Sequence, residues 1–163
     1  MTDMLVKLYD LPDNWAFITE MQARGVTIRK PIGPERHYII DWVRTTFSDA
    51  WASETDVALG NQPFTCFIAL KAEKLVGFAC YDATALGMFG PTGVLETERQ
   101  QRIGAALLMA CMLDMKLHGY GYAIIGDPGP TEFYQKVVGA VDIPGSSPGV
   151  YKGMLRYPRR AED

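Results

Sequence analysis

The sequence predicts a mixed α/β (α+β) domain, in which helices flank a central sheet of mostly antiparallel strands with some parallel pairing. Three observations support this prediction. A hairpin signal lies near the middle of the chain, and strand and helix patterns alternate after it. The 163 residues are 48% hydrophobic and 21% charged, as in a folded globular domain. We treat residues 1–163 as one domain, with residues 1–25 as an N-terminal arm and helix.

The first half of the chain predicts helices and then a hairpin. Residues 3–9 predict a short strand or extended arm, residues 12–24 a helix that stops at Gly25, and residues 26–32 an alternating strand. A helix begins near Pro34, and a shorter one over residues 48–59 follows a Ser48 cap. The apolar runs at 63–70 and 74–82, joined by a polar KAEK tip, predict the hairpin.

The second half predicts strands and helices in alternation. The glycine-rich run at 83–95 predicts a strand with a bulge near Gly90 and Pro91. An apolar helix over 103–119, a buried strand over 120–126 and a short helix over 130–139 follow. The segments AVDIPG and GVYKGML predict two closing strands around a GSSPG loop. The helix at 103–119 therefore connects two strands as a βαβ unit.

Composition argues against several classes of protein. The net charge is −3, whereas a dedicated nucleic-acid binder normally has an excess of basic residues. We also expect no membrane span and no signal peptide. Cys66, Cys80 and Cys111 each lie in an apolar run, which favours three reduced, buried thiols in a cytoplasmic protein. The two histidines are far apart and no C-x-x-C motif occurs, so we expect no metal site.

The stretch RQQRIGAALL at 99–108 has the composition of an anion-binding loop. It runs from charged residues into the apolar helix, whose first backbone amides can hold a phosphate. The P-loop motif is absent, and the GYG at 119–121 precedes a strand, the wrong context for a dinucleotide fingerprint. We expect Arg99 and Arg102 to supply positive charge, and Gly104 to let the phosphate approach the backbone closely. We also expect Arg102 to have a negative φ. A solvated helix entry explains the same residues equally well.

The stretch resembles the coenzyme A loop of the GCN5-related N-acetyltransferases, R/Q-x-x-G-x-G/A. Arg99 takes the first position, and Arg102 replaces the first glycine of the motif. A second register, starting at Gln101, fits the motif literally but displaces the leucine pair that follows. With the second motif below, the resemblance implies these cofactor-binding residues: Val94, Leu95, Arg99, Gln100, Gln101, Arg102, Ile103, Gly104, Ala105 and Phe133.

A second motif follows in the order that the family has. FYQKVVG at 133–139 resembles F-Y-x-K-x-G, with one extra residue before the glycine. In the family the tyrosine commonly protonates the departing thiolate, and the resemblance carries that role to Tyr134. A phenol within hydrogen-bonding range is a reasonable acid for this step. The resemblance covers about residues 74–139, with a looser match over 26–73.

The resemblance implies an enzyme that transfers acetyl from acetyl-CoA to a primary amine, on a small molecule or a protein, by direct attack in a ternary complex. Acetyl-CoA is expected in a splay between the parallel strands at 83–95 and 120–126. The backbone of Val94 and Leu95 would pair with pantetheine and polarise the thioester carbonyl. A non-catalytic acyl-CoA-binding domain, a longer acyl donor near Met88 and Phe89, and a module without cofactor remain alternatives. Whether the chain forms a homodimer is open.

The general base and the acceptor pocket have several candidates. Glu54 is the first candidate base, because the helix before the hairpin usually borders the acceptor site in the family. Asp82 is the second, and Glu96 the third. Trp51, Asp82 and Phe89 are the expected acceptor-binding residues, together with the loop at 145–149.

Overall fold

The computed structural model describes residues 1–156, so residues 157–163 of the predicted domain lie outside the described residues. Its strands are β1 (Met4–Lys7), β2 (Val26–Arg29), β3 (Cys66–Lys71), β4 (Lys74–Tyr81), β5 (Met88–Val94), β6 (Tyr122–Ile125) and β7 (Val141–Asp142). Its helices are α1 (Ala16–Ala23), α2 (Arg36–Thr46), α3 (Asp49–Gly60), α4 (Ile103–Leu117) and α5 (Thr131–Val138). The predicted helices are confirmed, with small shifts in their bounds.

The seven strands of the described residues form one sheet in the order β2-β3-β4-β5-β6-β1-β7. Every neighbouring pair is antiparallel except β5 and β6, which are parallel and connected through α4. This confirms the predicted mixed sheet. The predicted irregularity near Gly90 and Pro91 is also confirmed, because the register between β4 and β5 shifts there. The N-terminal strand β1 lies between β6 and β7, with Met4 paired to Ile125 on one side and to Asp142 on the other.

Two hydrophobic cores cover the two faces of the sheet. One contains α4, whose inward residues such as Leu107 and Met112 are fully buried, with α1 and α5 beside it. The other lies under α2 and α3 and includes Ile39 and Phe78. The central strand β4 is buried from Leu75 onward because both of its faces are covered. Truncating one such side chain costs about 2–5 kcal/mol.

Local signals set the ends of several elements. The Ser48 hydroxyl accepts a hydrogen bond from the Trp51 amide (3.1 Å), the cap predicted for α3. Gly139 follows α5 with φ +65°, and this left-handed residue ends the helix. The three cysteines are buried and free, as predicted. Among residues 1–156, no helix has both the length and the apolar character to span a membrane.

The prediction of a strand at GVYKGML is wrong. Residues Gly149–Tyr151 form a single helical turn, and the preceding strand β7 has only two residues. Gly145, Gly149 and Gly153 all have positive φ, and such residues bend the chain away from an extended path. The segment instead turns back toward the N-terminus, where the Ser146 hydroxyl accepts a hydrogen bond from the Asp3 amide (2.7 Å).

Candidate active site

The parallel strands β5 and β6 diverge almost immediately. They pair only at Met88 and Phe89, and β5 then continues to Val94 while β6 ends at Ile125. The Leu95 amide donates to the Val76 carbonyl of β4 (2.9 Å), so the expectation that it faces the gap is wrong. Backbone groups of alternate residues point to opposite edges of a strand, so Val94 presents its amide to the gap. We call this gap the splay.

The loop at 95–102 leads from the splay to α4. Gln100 and Arg102 both adopt the left-handed conformation, with φ of 65° and 64°. The first hydrogen bond within the helix runs from the Ala106 amide to the Arg102 carbonyl (3.0 Å). The amides of residues 103–105 precede it and have no acceptor within the helix. They therefore form a donor cluster at the positive end of the helix dipole.

The conformation of Arg102 differs from the expectation. A negative φ was expected, but φ is +64°, because the chain must turn from an extended Arg99 into the helix within three residues. This is a conformation that glycine adopts freely, and it costs another residue about 1–2 kcal/mol. A Cβ on Gly104 would lie 3.8 Å from Val94 Cγ2, an ordinary contact. The packing therefore does not require a glycine at position 104. The absence of a side chain there leaves the amides of the first turn uncovered.

Side chains hold the loop in place. Arg99 Nε donates to the Val94 carbonyl (3.3 Å), which anchors the start of the loop to the end of β5. Lys71 Nζ lies 2.8 Å from Glu98 Oε2 and 3.1 Å from Gln101 Oε1. The lysine ammonium lowers the pKa of Glu98 by hydrogen bonding. The side chain of Gln101 thus positions the loop, while Gln100 and Arg102 are exposed.

A cleft of about 360 Å³ lies beside the loop, between α1, α4 and α5. Its floor is apolar and includes Met109 and Phe17. Four of its lining residues are charged: Arg24, Arg102 and Lys136 are basic and come from three different parts of the chain, and Glu20 is acidic. Ala105, another expected cofactor residue, also lines it. Charge and apolar surface together suit a ligand with phosphates and a flat ring.

Tyr134 lies on the α4 face of the sheet next to the splay. It is 6% exposed, and its ring packs edge-on against Phe89 (centroids 6.4 Å apart) and Phe133 (5.1 Å). Burial raises the pKa of Tyr134, so the phenol keeps its proton at neutral pH. A protonated phenol near the splay is able to act as an acid. Phe89, expected to bind the acceptor, is instead a buried core residue at 3% exposure.

Glu54 lies on the opposite face, on α3. It is partly buried, and its Oε1 accepts a hydrogen bond from the Thr84 hydroxyl (2.5 Å). Burial raises the pKa of Glu54 above its usual value, more than the Thr84 hydrogen bond lowers it. A carboxylate with a raised pKa is a better base. Glu96, the third candidate base, is exposed in the turn that follows β5.

The other expected acceptor residues have structural partners. Asp82 Oδ1 accepts the Gly87 amide (2.6 Å), and its Oδ2 accepts the Tyr120 hydroxyl. Asp82 has φ +51° and closes the turn between β4 and β5. Because of these two hydrogen bonds, both of its carboxylate oxygens are already occupied. Trp51 packs against Phe47 and Phe78 in the second core and is only partly exposed.

Solved structures share this architecture. A GCN5-related N-acetyltransferase from Sphaerobacter thermophilus is 20% identical, with a TM-score of 0.64 over 87% of this chain and 48% of that one. This chain has the GCN5-related N-acetyltransferase fold. The same acetyltransferase fold occurs in the glucosamine N-acetyltransferase region of a fungal multi-domain GH3 β-N-acetylglucosaminidase (TM-score 0.70, 12% identity, 87% of this chain, 19% of that one).

A third acetyltransferase of this fold, from Brucella melitensis, is in complex with acetyl-CoA. It is 14% identical with a TM-score of 0.50, over 68% of this chain and 80% of that one. This chain spans about half of the Sphaerobacter protein and about a fifth of the fungal one. No protein-family model and no curated protein matches the sequence.

Within this acetyltransferase fold, the expected residues separate into two groups. The loop residues, Val94 and Tyr134 lie around the splay on the α4 side, and Glu54 lies on the α3 side. Sequence reasoning missed Arg24 and Thr84. Arg24 follows a helix with no motif, and Thr84 is one of several small residues in a turn, so neither had a local signal. Lys136 belonged to a recognised motif but had no assigned role.

Proposed function

We propose that this chain transfers an acetyl group from acetyl-CoA to a primary amine, by direct attack in a ternary complex. The observation that carries the proposal is the open edge of β5 beside the free amides at the start of α4. A strand edge is suited to an extended amide-containing arm, and a helix start is suited to a pyrophosphate. Pantetheine with its pyrophosphate has both parts, joined in that order.

Each part of acetyl-CoA has a candidate partner. The pyrophosphate binds the amides of residues 103–105, and pantetheine pairs with Val94. The nucleotide occupies the cleft, where Arg24, Arg102 and Lys136 face its phosphates. Met88 and Phe89 are 4% and 3% exposed at the closed end of the splay. This favours a short acyl group, since a longer chain would have to displace them.

The chemistry follows from the two faces of the sheet. The amine attacks the thioester carbonyl carbon from the α3 side, while the Val94 amide stabilises the developing oxyanion. The tetrahedral intermediate collapses, the C–S bond breaks, and Tyr134 donates a proton to the thiolate. Glu54 is the final acceptor of the amine proton. The acceptor is a small-molecule or protein amine. A cytoplasmic location is part of the proposal, because three free thiols suit a reducing compartment.

The first test is the melting temperature with excess acetyl-CoA, compared with dephospho-CoA. A ligand at 100 times its dissociation constant stabilises by about 2.7 kcal/mol. For a chain of this length that raises the midpoint by roughly 5–10 °C. We expect a shift of this size with acetyl-CoA and a smaller one with dephospho-CoA, because the cleft is basic.

The second test is acetyl transfer to a panel of amines, followed as release of free CoA thiol. A melting shift together with turnover supports the enzyme. A melting shift without turnover on the whole panel would favour the non-catalytic acyl-CoA-binding domain. A folded protein that shows no shift with acetyl-CoA contradicts the proposal.

A further inference from the structure

The ring of Phe47 lies directly on the backbone of β5, on the α3 face of the sheet. Phe47 belongs to the short link between α2 and α3, and it packs against the core beneath these two helices. A Cβ built on Gly93 would lie 2.5 Å from Phe47 Cζ, so only a glycine leaves room for the ring there. Gly93 directly precedes Val94, whose amide faces the splay. The Phe47 ring is therefore next to the backbone proposed to hold the thioester.

Two further rings extend this surface. The centroids of Phe47 and Trp51 are 5.1 Å apart, and Trp42 on α2 packs edge-on against Phe47 (5.6 Å). All three rings contact Phe78, which is fully buried on β4 beneath them. Trp42, Phe47 and Trp51 themselves remain partly exposed. These three outer rings form an apolar surface, which we call the aromatic wall.

The aromatic wall extends from the splay toward the candidate base. Trp51 and Glu54 are three residues apart on α3, so their side chains are neighbours on the helix surface. The helix α3 contacts both β4 and β5, and β5 forms one edge of the splay. An amine that attacks from the α3 side therefore passes along the aromatic wall, with its nitrogen toward Val94 and the carboxylate of Glu54 nearby.

The charges on α3 leave one carboxylate for the acceptor. Asp56 pairs with Arg36 of α2 (2.6 Å), and Asp49 lies 3.7 Å from Arg44 of the same helix. Glu54 forms no ion pair with any of residues 1–156. Since Glu54 is the proposed base for the reacting nitrogen, α3 offers no second carboxylate to a further ammonium group. This arrangement favours an acceptor with a single amino group.

The hydroxyl groups beside Trp51 are also engaged within the chain. The Ser48 hydroxyl accepts the Trp51 amide (3.1 Å), and the Thr55 hydroxyl donates to the Trp51 carbonyl (2.8 Å). The Thr84 hydroxyl donates to Glu54. A hydroxyl of the acceptor that left water at this surface without a new partner would cost free energy. The aromatic wall therefore suits an apolar acceptor better than an amino sugar.

We propose that Phe47 and Trp51 determine the specificity of the acceptor site, and that the acceptor is a primary monoamine with an apolar aryl or alkyl body. This inference rests on the acetyl transfer proposed above and names the acceptor class. The apolar body packs on the two rings, which also attract the arriving ammonium group. The amine nitrogen bonds to the carbonyl carbon as the C–S bond breaks. Its proton goes to Glu54, and the thiolate takes a proton from Tyr134.

The test measures kcat and KM with acetyl-CoA and a panel of phenethylamine, hexylamine, ethylamine, spermidine and D-glucosamine. Values are compared per concentration of unprotonated amine, because these amines differ in pKa. Phe47→Leu and Trp51→Leu each remove one ring but keep an apolar side chain. Tyr9→Leu is the matched control, since Tyr9 is exposed in the turn after β1 and packs edge-on against Tyr122 (5.5 Å). Melting temperatures with and without acetyl-CoA are recorded for every variant.

We expect phenethylamine and hexylamine to have a kcat/KM about tenfold or more above those of the other amines, because only they cover the rings with apolar surface. Phe47→Leu and Trp51→Leu should each raise the KM for phenethylamine about three- to tenfold and leave kcat unchanged. The KM for hexylamine should rise less, because leucine still packs against an alkyl chain. The kcat/KM for ethylamine, the KM for acetyl-CoA and the acetyl-CoA melting shift should not change.

Four results would overturn the inference. One is a kcat/KM for spermidine or D-glucosamine that equals or exceeds that for phenethylamine, which leaves the acetyl transfer itself intact. Another is an unchanged KM for phenethylamine in both ring variants. A third is a loss of the same factor with ethylamine, which indicates a structural role. The fourth is that the unchanged chain acetylates none of the amines, which rejects the proposed acetyl transfer as well. If Phe47→Leu does not fold, Trp51→Leu and the amine preference of the unchanged chain decide the question.

Discussion

Arg102→Gly is expected to stabilise the protein while weakening acetyl-CoA binding. Arg102 adopts φ +64° at the start of α4, and its side chain is exposed. Relief of the left-handed strain raises the free energy of unfolding by about 1–2 kcal/mol. The greater freedom of glycine in the unfolded chain lowers it by about 0.5–1 kcal/mol. Removing a cation from the positive end of the helix adds about 0.3 kcal/mol. The net gain is about 1 kcal/mol, or roughly 2–4 °C in melting temperature.

The same substitution removes a charge from the cleft. A hydrogen bond from an arginine to a phosphate contributes about 1.5 kcal/mol, which corresponds to a roughly tenfold weaker complex. Titration calorimetry with acetyl-CoA measures this loss, and melting without ligand measures the gain in stability. Arg102→Ala is the matched control, because alanine removes the charge but keeps the strain. It should bind as weakly as the glycine variant without most of its gain in melting temperature.

Equal melting temperatures of Arg102→Gly and Arg102→Ala would contradict this prediction, since the strained conformation would then have no energetic consequence. Binding of acetyl-CoA by both variants as tightly as by the unchanged chain would contradict it as well. In that case Arg102 does not face the phosphates, and the loop is an ordinary solvated helix start.

Three further predictions test the site. Tyr134→Phe should lower kcat by about 100-fold or more with an unchanged acetyl-CoA melting shift, and unaltered turnover would remove Tyr134 from the acid role. Arg24→Ala with Lys136→Ala should weaken acetyl-CoA about tenfold or more but dephospho-CoA less, whereas Arg44→Ala, on the other face of the sheet, should change neither. Glu54→Gln should abolish most turnover and raise the melting temperature at neutral pH. Because burial raises the folded pKa of Glu54, protonation stabilises the fold, so the gain should shrink as pH falls through that raised pKa and be absent below the usual glutamate pKa; a gain that persists in acid contradicts this.

Much of the fold was predictable because its signals are local. The apolar period of α4, the hairpin around KAEK and the glycine that ends α5 each depend on a few neighbouring residues. The C-terminal segment was mispredicted because its apolar residues resemble a strand, while three left-handed glycines bend it. Strand propensity is weak against such turns.

The sequence by itself determined most of the helices and strands, the mixed sheet and the loop that precedes α4, because hydrophobic period and turn residues act over short distances. Only the tertiary structure decided the chemistry around them. It placed Arg24 and Arg102 in the lining of one cleft, set the left-handed φ of Arg102, and brought Thr84 to Glu54. Arg24 and Arg102 are 78 positions apart in the sequence. Such contacts depend on how the sheet and helices pack, and no short-range pattern encodes them.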